Sequence, residues 1–284
     1  MPQTTSSPSA ASGSGTDAKP RRPVRRSVRD WVSTEPGAWS IALFPSLAAW
    51  AATGPTWTST WLVALWAICY CAQFTTARWC KSRFRRRYRT PALTYALVLA
   101  VAGLPFLVLH PGVLWWAPIY AVLCGVSLLA SWMRRERSLW SNLAAVLAAS
   151  AMATVVAPFG TRCLAPSATN RLPRLYDPAL FPDVGVEIAT GFALALFGSV
   201  LFVKTMIRER GHRGYLYASW AYHALLVAFG FLCDALYGAL ALALLARAVA
   251  LPLIARHRTV PVKAVGVTES VMSLLMLVLI PLGA

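Results

Sequence analysis

Long apolar runs separated by short charged gaps fill most of this sequence. Nine runs are long enough to cross about 30 Å of hydrocarbon as helices, which rise about 1.5 Å per residue. The pattern predicts helical spans near residues 38–54, 56–75, 91–109, 114–132, 139–159, 184–203, 215–232, 235–255 and 262–282. The first run is short and contains Pro45, so we expect this span to be the most irregular, with a kink at the proline.

The positive charges fall into alternate gaps between these runs. Most of the 27 Lys and Arg precede the first run or follow the second, fourth, sixth and eighth runs. The remaining gaps hold only Arg162, Arg171 and Arg174. Cytoplasmic loops of membrane proteins carry the excess of Lys and Arg. The alternation therefore predicts an N-terminus inside, a C-terminus outside, and an all-α polytopic transmembrane helical bundle.

The composition agrees with a membrane protein. Charged residues make up 13% of the chain and hydrophobic residues 57%, whereas a soluble domain carries about a quarter charged residues. The net charge of +17 does not indicate a nucleic-acid partner, because the basic residues flank apolar runs instead of forming one soluble face. Membrane lipids with anionic head groups are the partners that such flanking arginines favour.

Two segments differ in character. Residues 1–30 are polar and Arg-rich and contain no cleavable apolar core, which predicts a disordered basic cytoplasmic tail. Residues 31–284 are predicted to form a single transmembrane helical domain. We expect a multi-pass protein of the bacterial cytoplasmic (inner) membrane.

Three ionisable residues fall inside the last three runs at similar predicted depths: His223, Arg247 and Glu269. Ionisable groups at membrane depth are costly, and they often belong to functional sites. One interpretation is that they wall a polar cavity open to the cytoplasm. The other is that Arg247 and Glu269 only neutralise each other between adjacent helices, and that His223 is an interhelical hydrogen-bond donor.

A second candidate group follows the sixth run. Lys204, Arg208 and Arg210 precede Gly211, where we expect the chain to bend. Guanidinium groups suit a phosphate or carboxylate head group, although the same residues also suit a topology anchor on anionic lipid. Glu136 and Asn142, nearer the membrane surface, complete the candidate ligand-binding set.

The cysteines and histidines have no spacing typical of a metal site, and no cofactor motif is present. We therefore expect no metal and no cofactor. Two of the six cysteines, Cys163 and Cys233, fall on the predicted outer face. The sequence does not decide whether they form a disulfide.

Several segments together resemble the YwiC-like family of bacterial membrane proteins, a family of unknown function. These segments are Gly37-Ala38-Trp39 with Pro45, Glu136-Arg137-Ser138-Leu139 with Asn142, Val203 to Gly211, Tyr222-His223, Arg247-Ala248 with Pro252, and Val265-Gly266 with Glu269-Ser270. The family pattern has His before Gly-Ala-Trp, whereas this chain has Glu35-Pro36 there. The resemblance implies an uncharacterised membrane protein.

The overall architecture is similar to that of the UbiA-type prenyltransferase superfamily. Nine spans with the N-terminus inside match that arrangement, and the segment from Trp132 to Asn142 is similar to its fourth-to-fifth connection. That superfamily uses two Asp-rich clusters to hold Mg²⁺, and this chain has no Asp in any cytoplasmic gap between spans. The resemblance therefore implies a UbiA-like bundle without metal-assisted prenyl transfer.

These observations favour one function and leave two alternatives. The leading hypothesis is that the protein binds or transports an anionic amphiphile, such as a lipid, isoprenoid or quinone precursor, in a cationic cavity facing the cytoplasm. One alternative is a metal-independent UbiA-like transferase with His223 or Glu269 as base. The other is an accessory or assembly protein of a respiratory membrane complex. Because the Asp clusters are absent, we favour a non-catalytic role.

Overall fold

The computed structural model describes residues 30–173 and 177–284, which form ten α-helices and no strand. The helices are α1 (Pro36–Thr53), α2 (Trp57–Lys81), α3 (Arg86–Leu109), α4 (Ala117–Trp132), α5 (Leu139–Val156), α6 (Pro166–Thr169), α7 (Asp183–Val203), α8 (Arg213–Cys233), α9 (Ala235–His257) and α10 (Val262–Gly283). The predicted tail, apart from Asp30, lies outside the described residues, as does Arg174.

Eight helical segments of the described chain have the length and apolar composition needed to cross a membrane. They contain α2, α3, α4, α5 and α7 to α10, and α4 is extended at its start by the 3₁₀ turn Pro111–Trp116. The predicted polytopic helical bundle is therefore confirmed, and the protein is a multi-pass membrane protein.

The first predicted span forms α1, which contains Pro45 and is not among the candidate spans. It packs against α2, α5, α7 and α10 in the bundle interior. Ser46 and Ala49 are fully buried there. With 18 residues, α1 is about 27 Å long.

The connections between helices lie on two opposite faces. On one face, Lys81 Nζ lies 2.9 Å from Glu136 Oε1, and Lys204 Nζ donates a hydrogen bond to the carbonyl of Arg137 at 2.8 Å. These contacts join three of the arginine-rich gaps, and we call this side the basic face. On the opposite face, the Thr161 amide donates to the carbonyl of Gly54 at 3.0 Å. The alternating charge pattern thus corresponds to two faces of one bundle.

The two ends of α1 are tied to these opposite faces. Asp30, just before the helix, accepts hydrogen bonds from Arg87 at the start of α3. At the other end, the carbonyl of Thr53 accepts from the amide of Arg162 at 2.9 Å, beyond the end of α5. The helix therefore runs from the basic face to the opposite face, as a span does.

Small residues allow α5 and α7 to pack closely. Thr154 Oγ1 in α5 donates to the carbonyl of Gly185 in α7 at 3.1 Å. A Cβ atom built on Gly185 would lie 2.6 Å from the Cβ of Ala157. Close helix approach through small residues is typical of membrane bundles, where packing replaces the hydrophobic effect between helices.

The cysteines carry no covalent cross-link. All six are free thiols, so no disulfide joins Cys163 to Cys233. Cys163 lies between α5 and α6, where burial raises the pKa of its thiol. The bundle is therefore held by packing, hydrogen bonds and ion pairs.

Candidate functional site

Arg247 lies at the centre of a buried group of side chains contributed by α7, α9 and α10. Its Nη1 donates to Glu269 Oε1 and lies 3.5 Å from Ser199 Oγ. Its Cζ lies 4.3 Å from the ring centroid of Phe202, a cation–π geometry. The structure therefore brings Arg247 and Glu269 together as an interhelical ion pair, as their predicted depths indicated.

His223 of α8 faces the same turn of α7. The imidazole is fully buried, and its Nδ1 lies 2.7 Å from the carbonyl oxygen of Ser219. A Cβ atom built on Gly198 would lie 3.1 Å from His223 Nε2, so the glycine provides room for the ring. Gly198 precedes Ser199, the residue that Arg247 contacts. We call Ser199, Ser219, His223, Arg247 and Glu269 the polar cluster.

An apolar layer lies between the polar cluster and the basic face. It consists of Phe202 and Met206 from α7 and the turn that follows, Ala248 from α9, and Val265 from α10. All four residues are buried. The expected polar cavity, open to the cytoplasm and walled by the polar cluster, is therefore interrupted by this layer.

The residues after α7 do not converge on one point. Lys204 begins a π-helical turn, Lys204–Arg208, and its 7% exposed side chain is directed to the Arg137 carbonyl. Gly211 then adopts φ = 88°, a left-handed conformation that favours glycine, and the chain turns there into α8. Arg210 lines a cavity beside this turn, whereas Lys204 and Arg208 do not. The predicted trio of head-group ligands is thus divided.

The cavity beside Arg210 is lined by several basic residues. It has a volume of about 660 Å³ and lies between the α7–α8 connection and the end of α9. We call it the basic cleft, and its lining residues are Thr205, Met206, Arg210, Gly211, His212, Arg213, Leu216, Tyr217, Pro252, Ala255 and Arg256. The lining includes three guanidinium groups and no carboxylate.

Sequence reasoning missed His212, Arg213 and Arg256 as site residues. The signal was present, since all three lie in basic gaps on the predicted cytoplasmic side. Arg210 and Arg256, however, are separated by 45 intervening residues, and only the antiparallel packing of α8 on α9 brings them to one cavity.

Glu136 and Asn142 lie away from both groups. Glu136 pairs with Lys81 in the connection between α4 and α5. Asn142 is half-buried in the first turn of α5, where its backbone N–H donates to the carbonyl of Ser138. Neither residue lines the basic cleft, so their ligand-binding role stays a prediction.

Within the described residues, no group of three or more His, Cys, Asp or Glu side chains is placed to hold a metal ion. No solved structure matches the chain, so the UbiA-like arrangement stays a prediction.

Comparison with known proteins gives two matches. Residues 32–157 match the family model described as YwiC-like protein. The chain is also 25% identical over 194 residues to an uncharacterised protein of Haemophilus influenzae, a match covering 68% of this chain and 74% of that protein. The resemblance predicted from the sequence is thereby confirmed, and over residues 32–157 this multi-pass membrane protein is similar to the YwiC-like family.

Proposed function

We propose that this integral membrane protein binds the head group of an anionic amphiphile in the basic cleft, with the basic face in the bacterial cytoplasm. One observation carries the proposal: three arginines, Arg210, Arg213 and Arg256, line one cavity that has no carboxylate in its lining. The described residues contain ion pairs for Lys81, Arg87 and Arg247 but for none of these three. All three residues are exposed, so their guanidinium groups are open to an anionic ligand.

The chemistry of the lining suits an amphiphile. Guanidinium groups bind phosphate and carboxylate oxygens through two parallel hydrogen bonds. Leu216, Tyr217 and Pro252 add an apolar wall beside the arginines, along which a hydrocarbon chain can lie. The volume of about 660 Å³ falls within the roughly 300–1,000 Å³ of known small-molecule sites. A ligand with an anionic head and an apolar chain satisfies both parts of the cleft.

The proposal differs in a measurable way from a general lipid anchor. In an anchor, every exposed arginine near the membrane surface attracts anionic lipid by a similar amount, about 1 kcal/mol each. In a binding cleft, the three lining arginines contact the same head group. They therefore contribute more to the affinity for the amphiphile than three arginines elsewhere on the basic face. Arg86, Arg89 and Arg258 are exposed, belong to the same face and do not line the cleft.

The test is mass spectrometry of the small molecules that co-purify with the detergent-extracted protein. The wild type is compared with a cleft variant, R210A/R213A/R256A, and with a control variant of equal charge, R86A/R89A/R258A. We expect one anionic amphiphile to be enriched with the wild type and the control but lost from the cleft variant. Thermal unfolding in detergent checks that both variants fold.

An identical, bulk-membrane lipid profile in all three proteins would refute the proposal and leave the arginines as anchors. Equal losses in both variants would refute it as well, because the cleft would then have no special role. Recovery of a stoichiometric partner protein without an enriched small molecule would instead support the accessory-protein alternative.

A further inference from the structure

Arg247 presents an unused edge of its guanidinium group inside the membrane. Nη1 is engaged by Glu269 and Ser199, but Nε and Nη2 have no hydrogen-bond partner within the described chain. The residue is only 4% exposed. Nε and Nη2 form one edge with two parallel N–H donors, which fits an acceptor atom. Buried donors without an acceptor are costly, so this edge indicates a bound group.

His223 lacks a hydrogen-bond donor, whereas Arg247 lacks an acceptor. Its Nδ1 lies 2.7 Å from the carbonyl of Ser219, and because a carbonyl only accepts, Nδ1 carries the proton. In the neutral ring with this tautomer, Nε2 bears a lone pair. That atom is buried and unpartnered, as is the hydroxyl of Ser219 one turn away on the same helix. The site next to His223 therefore requires a hydrogen-bond donor.

The two groups approach the same turn of α7. Arg247 contacts Ser199, and His223 Nε2 faces the backbone of Gly198. We propose that one hydroxyl group is bound between Arg247 and His223, accepting from the guanidinium edge and donating to His223 Nε2. Its source is either a bound water molecule or the alcohol group of an amphiphile.

The chemistry of the two partners calls for a group that both accepts and donates a hydrogen bond, and a hydroxyl is such a group. A carboxylate or a ketone accepts from Arg247 but has no proton to donate to Nε2. An ammonium group donates to Nε2 but has no lone pair for Arg247. A hydroxyl oxygen does both, as an acceptor for Arg247 and a donor to His223 Nε2. A bound water typically makes about three hydrogen bonds, which matches the three unpartnered nitrogens of Arg247 and His223.

Gly198 controls the space beside this position. A Cβ atom at residue 198 would lie 3.1 Å from His223 Nε2, where it would crowd the bound hydroxyl without altering any hydrogen-bonding group. Gly191, about two turns earlier on α7, is a matched control. A Cβ atom there would also lie 3.1 Å from its nearest neighbour, but that neighbour is the apolar Cγ2 of Ile280.

The hydroxyl site is independent of the proposed function. None of its residues lines the basic cleft, and the apolar layer of Phe202, Met206, Ala248 and Val265 lies between the two sites. Failure of amphiphile binding in the cleft would therefore leave this site unaffected, and the reverse also holds.

The test is ¹⁵N NMR of protein labelled at its four histidines, in detergent, with H223Q identifying the signals of His223. We expect a neutral ring with the proton on Nδ1 and with Nε2 shifted toward a hydrogen-bonded value. G198A is expected to move the Nε2 resonance toward that of a free lone pair, whereas G191A leaves it unchanged. If the wild-type ring carries protons on both nitrogens, or if Nε2 shows no hydrogen bond, the proposal is wrong.

The wild-type spectrum decides the matter even if G198A fails to fold, and S219A serves as a milder second variant. Two further measurements identify the source of the hydroxyl. If it belongs to water, extensive delipidation leaves the Nε2 shift unchanged. If it belongs to an amphiphile, delipidation removes the shift, and mass spectrometry finds a hydroxylated molecule bound to the wild type but not to G198A.

Discussion

Replacing Arg247 by methionine would leave the Glu269 carboxylate without its cationic partner inside the bundle. The Arg247 side chain is 2% exposed and that of Glu269 is 16% exposed. Removal of one member of a buried ion pair costs about 3–5 kcal/mol, because the remaining charge is left uncompensated. Since Glu269 keeps some exposure, we expect R247M to lower the free energy of unfolding by about 3 kcal/mol, the lower end of this range.

The double variant R247M/E269M tests whether neutralisation is the main role of the pair. Replacement of a buried ion pair by apolar residues of similar size is often neutral or stabilising. We therefore expect the double variant to recover at least about 2 kcal/mol of the loss seen in R247M. The control is K81M, which breaks a pair whose side chains are 50% and 30% exposed, and which should cost about 0–1 kcal/mol.

The assay is equilibrium unfolding in mixed detergent, followed by the fluorescence of the twelve tryptophans. Equal stability losses for R247M and K81M would contradict the assignment of a buried pair. A double variant as unstable as R247M would show that the two side chains do more than neutralise each other.

Two further predictions concern packing and thiol chemistry. G185A should lower the free energy of unfolding by about 1–3 kcal/mol through overpacking, since its Cβ would lie 2.6 Å from that of Ala157. G125A should cost nothing, because no atom lies within 4 Å of its Cβ, and equal losses in thermal unfolding would disprove this explanation. Because burial raises the pKa of the Cys163 thiol, its thiolate fraction at neutral pH is reduced. In a variant that retains only Cys163, maleimide should react more slowly with the folded protein than with the unfolded chain. The reaction rate of the folded protein should rise at a higher pH than that of an unperturbed thiol. Equal rates for the folded and unfolded protein would contradict the burial of the Cys163 thiol.

Most of the fold could be predicted because the bilayer imposes simple rules on the sequence. Apolar runs must match the hydrocarbon thickness, and basic residues must stay on one side. The exception is α1, which contains Pro45 and is not among the candidate spans of the described chain. That helix is packed against four other helices. Hydropathy along the sequence does not show whether a helix is shielded from lipid by its neighbours.

The candidate site was predictable only in part. The pairing of Arg247 with Glu269 follows from equal depth on consecutive antiparallel runs. Lys204 and Arg210, predicted as one group, do not line the same cavity, because Lys204 lies in a π-helical turn before the bend at Gly211. Local backbone geometry of this kind depends on hydrogen bonds, such as that from Lys204 to Arg137, which sequence spacing does not reveal.

The account depends most directly on the basic cleft facing the cytoplasm. In a cysteine-free background, R210C places a thiol in the cleft, and L172C places one at a 75% exposed position on the opposite face. Each variant is treated with a membrane-impermeant thiol reagent in right-side-out and in inverted membrane vesicles. We predict that R210C is labelled only in inverted vesicles and L172C only in right-side-out vesicles. Labelling of R210C in right-side-out vesicles would contradict the orientation and, with it, the proposed cytoplasmic binding site.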